Sequence, residues 1–116
     1  MDTFRFLKFK VYKDSISFYK KILLISSNIN KLSLRDQIKR AALSIILNIA
    51  EGSAKKSDAD FARFLEISIG SLNEVVACLN VLEELKSINE TEIHSAYNES
   101  EELAKQLGGF IKRLRS

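Results

Sequence analysis

The chain has 116 residues, 46% of them hydrophobic, which is enough to fill the core of one small domain. It has no proline and one cysteine, Cys78, so a disulfide within the chain is excluded and an all-α fold is favoured. The longest apolar stretch is about ten residues, whereas a membrane helix needs about 20, and the N-terminus lacks the apolar segment of a secretory signal. We therefore expect a cytoplasmic protein with no membrane partner.

Charge is distributed unevenly along the chain. Residues 1–40 contain ten Lys and Arg against three Asp and Glu, whereas residues 41–116 contain eight against twelve. A basic region of this kind suits a polyanion such as nucleic acid. It equally suits attraction between copies of the chain, or a solvated surface with no partner. The charge pattern alone does not choose among these.

The first ten residues, MDTFRFLKFK, place three phenylalanines among basic residues and do not follow a helical stripe. We predict an N-terminal arm over residues 1–10 that lies against its own bundle or a neighbouring subunit, because free phenylalanines would be costly to expose. The first helix is predicted over residues 11–28. Its apolar side chains form two adjoining rows, which predicts cover from more than one side: Tyr12, Ile16, Tyr19, Leu23, and Val11, Phe18, Ile22, Ile25.

The second helix is predicted over residues 34–52. Ser33 precedes it as a candidate N-cap, and Gly52 is a candidate C-terminal stop. Ile38, Ala41 and Ile45 fall on its predicted inner face.

The last two helices are predicted over residues 57–86 and 89–115. Ser57 with Asp60 resembles an N-terminal capping arrangement, and Asn89 opens the fourth helix. In both helices apolar residues alternate at spacings of four and three, which keeps one seam against a partner helix. These two helices should therefore pair.

Short connections place consecutive helices side by side in opposite directions. The sequence therefore predicts one domain over residues 1–116, an all-α antiparallel up-down-up-down four-helix bundle.

Polar residues interrupt the apolar segment AALSIILNIAEGS of the second helix. Ser44, Asn48 and Glu51 share one face of that helix, and the third helix carries Gly70, Ser71 and Glu74. We predict that Gly70 allows a close backbone approach and that Asn48 bonds to Ser71 and Glu74. Because an unpaired buried amide is costly, such a network would fix the register of the two helices rather than perform chemistry.

The stretch LRDQIKRAALSIILNIAEGSAKKSDADFARFLEISIGSLNE contains this polar row. It resembles the signature of the small four-helix-bundle proteins encoded in intervening sequences of bacterial 23S ribosomal RNA genes. Its structural residues in this sequence are Ser44, Asn48, Glu51, Gly52, Gly70, Ser71 and Glu74. Ile46 stands where the family usually has proline, and Tyr12 where it has tryptophan.

The resemblance implies a homo-oligomer, because similar proteins form five-fold barrels. It also implies a fold similar to an accessory protein of diversity-generating retroelements, which binds nucleic acid and a reverse transcriptase.

Residues for catalysis or metal binding are scarce in this sequence. His94 is the one histidine, it has no cysteine cluster or Glu-x-x-His partner, and we expect it on the surface. No glycine-rich phosphate loop is present. The sequence thus predicts a protein that is not an enzyme and has no cofactor or metal.

Basic residues remain the candidate functional groups. Five of them flank or follow the polar signature and are the predicted nucleic-acid contacts: Lys39, Arg40, Lys55, Lys56 and Arg63. Because most aromatic residues belong to apolar stripes, we expect phosphate binding with weak sequence specificity. The leading hypothesis is a non-enzymatic oligomeric protein that binds RNA or DNA. The alternatives are an accessory protein of a reverse transcriptase, or a purely structural protein interaction module.

Overall fold

A computed structural model describes residues 3–116, and this part of the chain folds as an all-α four-helix bundle without strands. The helices are α1, Lys10–Ser26; α2, Leu32–Ser53; α3, Asp58–Glu84; and α4, Glu90–Arg115. A short 3-10 turn at Arg5–Lys8 precedes α1. The described residues measure 44 × 24 × 20 Å, so the long axis follows the helices.

Local capping sets the starts of α3 and α4 as the sequence predicts. The Asp60 amide donates to the Ser57 hydroxyl at 3.1 Å, and the Thr91 amide donates to Asn89 Oδ1 at 2.7 Å. Each polar side chain satisfies a backbone amide that has no partner within its own helix.

The predicted cap of α2 at Ser33 is wrong. The Arg35 amide donates to the Lys31 carbonyl at 3.0 Å, which closes the first turn earlier and places Ser33 inside the helix. Lys31 is the N-cap residue and makes no side-chain capping bond.

Gly52 is not the end of α2, contrary to expectation. The helix continues through Gly52 to Ser53, and no glycine among the described residues has a positive φ. Gly52 instead lies against α3. A Cβ built on it would come within 2.7 Å of Phe64 Cβ and 3.0 Å of Phe61 Cδ1. The missing side chain therefore allows close helix packing.

The four helices share one hydrophobic core. All four helices and the loop after α1 contribute buried side chains, the largest of which are Phe18, Phe61, Ile22, Ile25, Ile38, Ile45, Ile49, Leu65, Leu79, Leu82, Ile93 and Leu103. Of the two rows predicted on α1, the one formed by Val11, Phe18, Ile22 and Ile25 is buried. In the other row Tyr12, Ile16 and Tyr19 are half-buried and Leu23 is exposed.

Polar contacts show which parts of neighbouring helices lie side by side. The Ser68 hydroxyl donates to the Ile45 carbonyl at 3.0 Å, and Gln106 donates to Asp14 at 2.9 Å. Lys21, later in α1, pairs at 2.8 Å with Glu99, earlier in α4. The start of α1 therefore lies beside the later part of α4.

The apolar character of α3 extends beyond any single uninterrupted run. By length and composition this helix could cross a membrane, although the sequence predicts no membrane helix. Nine of its residues are buried in the four-helix core. A core helix meets the same criteria, so the composition of α3 is a poor indicator of a membrane span.

Candidate nucleic-acid interface

Three distant segments of the chain meet at one end of the bundle. Phe9 at the start of α1, Phe61 in the first turn of α3 and Phe110 near the end of α4 have ring centroids 5.1 to 6.3 Å apart. Arg5 reaches the end of α2 by donating to the Ser53 carbonyl. The contacts bring residues 3–13, 50–66 and 106–116 together, and we call this region the basic end.

The basic end has a large excess of positive charge. It contains ten Lys and Arg against four Asp and Glu, whereas residues 14–49 and 67–105 contain eight against ten. Folding therefore concentrates the excess of basic residues at one end of the long axis of the molecule. A surface of this sign attracts polyanions.

Arg5 attaches the N-terminal arm to this end. Its guanidinium donates two hydrogen bonds to the Ser53 carbonyl, at 3.2 and 3.0 Å, and lies 5.4 Å from the centroid of the Phe61 ring. Phe6 of the arm packs against Tyr12, with centroids 4.9 Å apart. The arm therefore lies against its own bundle, which is one of the two predicted placements; Met1 and Asp2 lie outside the described residues.

Phe64 forms a second contact between an aromatic ring and cations. Lys55 Nζ lies 4.9 Å and the Arg63 guanidinium carbon 4.8 Å from the ring centroid. The ring is half-buried against Gly52. Both cations are attracted to the negative ring face, which holds them beside the exposed Lys56.

Some charges at this end are neutralised by ion pairs. Hydrogen bonds from Lys10 and then Gln106 lower the pKa of Asp14, and a hydrogen bond from Arg115 lowers the pKa of Glu66. Asp60 lies 3.7 Å from Arg63. Within residues 3–116, seven further cations of the basic end form no ion pair: Arg5, Lys8, Lys13, Lys55, Lys56, Lys112 and Arg113.

The five predicted contact residues do not form one cluster. Lys55, Lys56 and Arg63 lie at the basic end, whereas Lys39 and Arg40 lie in the first half of α2. At about 1.5 Å per helical residue, Arg40 is roughly 20 Å from the end of that helix. Sequence reasoning omitted the basic residues of the two chain termini, although an up-down-up-down order would have placed both termini beside the α2–α3 loop.

The polar signature forms a different network from the one predicted. The Asn48 amide donates to the Ser44 carbonyl at 2.9 Å and to the Ser44 hydroxyl at 3.0 Å. Ser71 donates to that hydroxyl at 2.8 Å. Asn48 thus joins Ser71 only through Ser44, because its amide bonds one turn back along its own helix.

Glu74 also has another partner than the one predicted, since it accepts a hydrogen bond from Gln37. Gly70 does not receive a neighbouring backbone, because no atom would lie within 4 Å of an added Cβ and the residue is exposed. Glu51 is exposed as well. The row therefore lies at the half-buried rim between α2 and α3 rather than inside the core.

Comparison with known families agrees with this architecture. The model of the family described as 23S rRNA-intervening sequence protein matches residues 7–109, which include all four helices in whole or in large part. The chain belongs to the 23S rRNA-intervening sequence protein family.

A solved structure supports the membership. The chain is similar to a crystal structure of a protein of unknown function from the S23 ribosomal protein family of Bacteroides thetaiotaomicron. The TM-score is 0.84 at 29% sequence identity, and the match covers 88% of this chain and 98% of the other. The comparison with curated proteins gives no match.

Ile46 occupies the position at which the family resemblance implies a proline. Ile46 is buried and helical, and α2 is continuous from Leu32 to Ser53. His94 is exposed, as the sequence predicts. Cys78 is buried, which raises the pKa of its thiol. We assign neither residue to the interface.

Proposed function

We propose that this member of the 23S rRNA-intervening sequence protein family is a non-enzymatic, cytoplasmic protein that binds the phosphates of RNA or DNA through its basic end. The observation that carries the proposal is the meeting of three distant basic segments on one surface. Contacts with phosphates release condensed counterions, so such a surface binds nucleic acid without reading base sequence.

Weak sequence specificity forms part of the proposal. The charged side chains available at the basic end are mainly lysines and arginines. Lys8, Lys13 and Lys56 are exposed, which suits contact with a phosphate backbone rather than with base edges.

Homo-oligomerisation, as the pentameric barrel that the family resemblance implies, is the second part of the proposal. Each subunit would keep the antiparallel up-down-up-down order that the short connections predict. Exposed apolar side chains on the arm and on α2 support it: Phe4 is 52%, Leu7 46% and Leu47 55% exposed. Exposed apolar side chains of this size are typical of an interface. Assembly would repeat the basic end and so raise avidity for a long polyanion.

The decisive experiment measures RNA and DNA binding at two salt concentrations. We expect binding at low salt that weakens steeply as salt rises, because released counterions drive it. Replacing Lys55 and Lys56 with Ala should lower the affinity and flatten the salt dependence. The matched pair Lys39→Ala and Arg40→Ala, distant from the basic end, should have the smaller effect.

Absence of binding at low salt would reject the nucleic-acid proposal. The function then favoured is a protein interaction module, including the accessory role beside a reverse transcriptase. The exposed Leu47 and Phe4 favour that second function, since apolar residues contribute to protein contacts independently of salt.

A further inference from the structure

Six of the seven phenylalanines, together with Tyr12, belong to the three segments of the basic end. Proteins that bind single strands combine positive charge with aromatic rings on which successive bases stack. The availability of these ring faces therefore indicates which form of nucleic acid the basic end suits.

Three of the rings pack against one another and are not free to stack on bases. Phe61 is 1% exposed and lies against Phe9 and Phe110. Arg5 lies 5.9 Å from the Phe9 centroid and Arg113 lies 5.2 Å from the Phe110 centroid. These three rings stabilise the junction of helices and are occupied by their own cations.

The remaining rings offer no continuous platform. Lys55 and Arg63 lie over Phe64, and Phe6 packs on Tyr12. Phe4 is the exception at 52% exposure, but its nearest aromatic neighbour, Phe6, meets it at 73°, so the two rings do not form parallel stacking surfaces.

We infer that the basic end selects double-helical nucleic acid over single strands. This inference rests on the proposed function and names the form of its ligand. A duplex keeps its bases stacked internally and presents about one negative charge per 1.7 Å of axis, so it demands phosphate contacts and no aromatic platform. A single strand would have to displace Lys55, Arg63 or Arg113 from the rings to stack on them.

Counterion release also favours the duplex over the single strand. In a plot of the logarithm of the binding constant against the logarithm of salt concentration, each contacted phosphate contributes a slope of about −0.9 for duplex DNA and about −0.7 for single strands. For about five contacts, this difference corresponds to roughly tenfold in affinity for each tenfold reduction in salt. The preference for duplex should therefore grow as salt is lowered.

The test measures the affinity of the 116-residue chain for a mixed-sequence DNA duplex of about 20 base pairs and for oligo-dT of the same length. At about 3.4 Å per pair, such a duplex is longer than the 44 Å protein axis. We expect the duplex to bind roughly tenfold more tightly at about 0.1 M salt, with the steeper salt slope. An RNA duplex and oligo-U form a parallel pair with the same expectation.

Phe64→Leu and Phe4→Leu separate packing from base stacking. Both retain an apolar side chain and remove the ring, and circular dichroism melting checks that each variant is folded. We expect the ratio of duplex to single-strand affinity to stay unchanged. A selective loss of oligo-dT binding in either variant would overturn the inference, as would wild-type protein that binds oligo-dT as tightly as duplex. If no probe binds at low salt, the proposed function itself fails and the duplex preference falls with it.

Discussion

At the residue scale, the two glycines of the family signature occupy opposite environments. Gly52 faces Phe61 and Phe64 in the contact between α2 and α3, whereas Gly70 faces open space on α3. The requirement for glycine at position 52 therefore comes from side chains of another helix.

We predict that Gly52→Ala destabilises the fold and that Gly70→Ala does not. The added methyl at position 52 meets Phe64 Cβ at 2.7 Å, which forces the helices apart and should cost about 1 to 3 kcal/mol. At position 70 the methyl meets nothing, so the higher helix propensity of Ala should add up to about 1 kcal/mol of stability. Urea unfolding midpoints of the two variants measure both effects, and equal midpoints would contradict the assignment.

A second residue-scale prediction concerns Asn48. Its replacement by Leu removes the hydrogen bonds to Ser44 and leaves the half-buried Ser44 and Ser71 hydroxyls without the third member of their chain. We expect a loss of about 1 kcal/mol in unfolding free energy, with nucleic-acid affinity changed only to the extent that folding is. The exposed Asn73→Leu serves as the control.

Thermal melting and a binding titration of the same preparations test the role of Asn48. Unchanged melting with abolished binding would show that the polar row is a binding site, contrary to the structural role assigned to it here.

At the element scale, the N-terminal arm depends on one side chain for much of its attachment. The Arg5 guanidinium connects the 3-10 turn both to the last residue of α2 and to the Phe9 and Phe61 rings. Because Arg5 is exposed, these contacts should contribute modestly to the stability of the whole bundle and more strongly to the local order of the arm.

We predict that Arg5→Ala accelerates proteolysis and amide hydrogen exchange of residues 3–9 and lowers stability by about 1 kcal/mol. Lys8→Ala removes a charge from the same turn, but Lys8 makes no hydrogen bond or ion pair within residues 3–116. It is the matched control and should leave arm exchange unchanged. Equal exchange rates in both variants would show that Arg5 does not hold the arm.

At the scale of the whole molecule, the exposed apolar residues and the charge asymmetry have different consequences. The basic end attracts polyanions over a distance set by salt, whereas apolar side chains such as Leu47 act only on contact. Assembly should therefore persist at salt concentrations that abolish nucleic-acid binding.

We predict that light scattering at micromolar concentration gives the mass of an oligomer, at least twice the 13.2 kDa of one chain. Leu47→Glu should reduce that mass, since it places a charge in the proposed interface while the 55% exposed side chain tolerates Glu in the isolated subunit. Asn98→Glu, at an exposed polar position on α4, is the control and should leave the mass unchanged. A wild-type monomer would reject the assembly proposal.

The local features of this protein were predictable without coordinates. The spacing of apolar residues gave four helices, and Ser57 and Asn89 marked two of their starts, because amphipathic periodicity and capping depend on residues close together in the chain. The family signature likewise lies within one contiguous stretch and was recognisable without coordinates.

Contacts between helices could not be predicted from local patterns. Gly52 was mistaken for a helix end and Gly70 for a packing site, because the clash that distinguishes them involves Phe64 on another helix. The partners of Asn48 depended on the rotation of α2 against α3. The basic end joins three segments that are far apart in the chain, so no contiguous motif reveals it, although the predicted helix order would have brought these segments to one end.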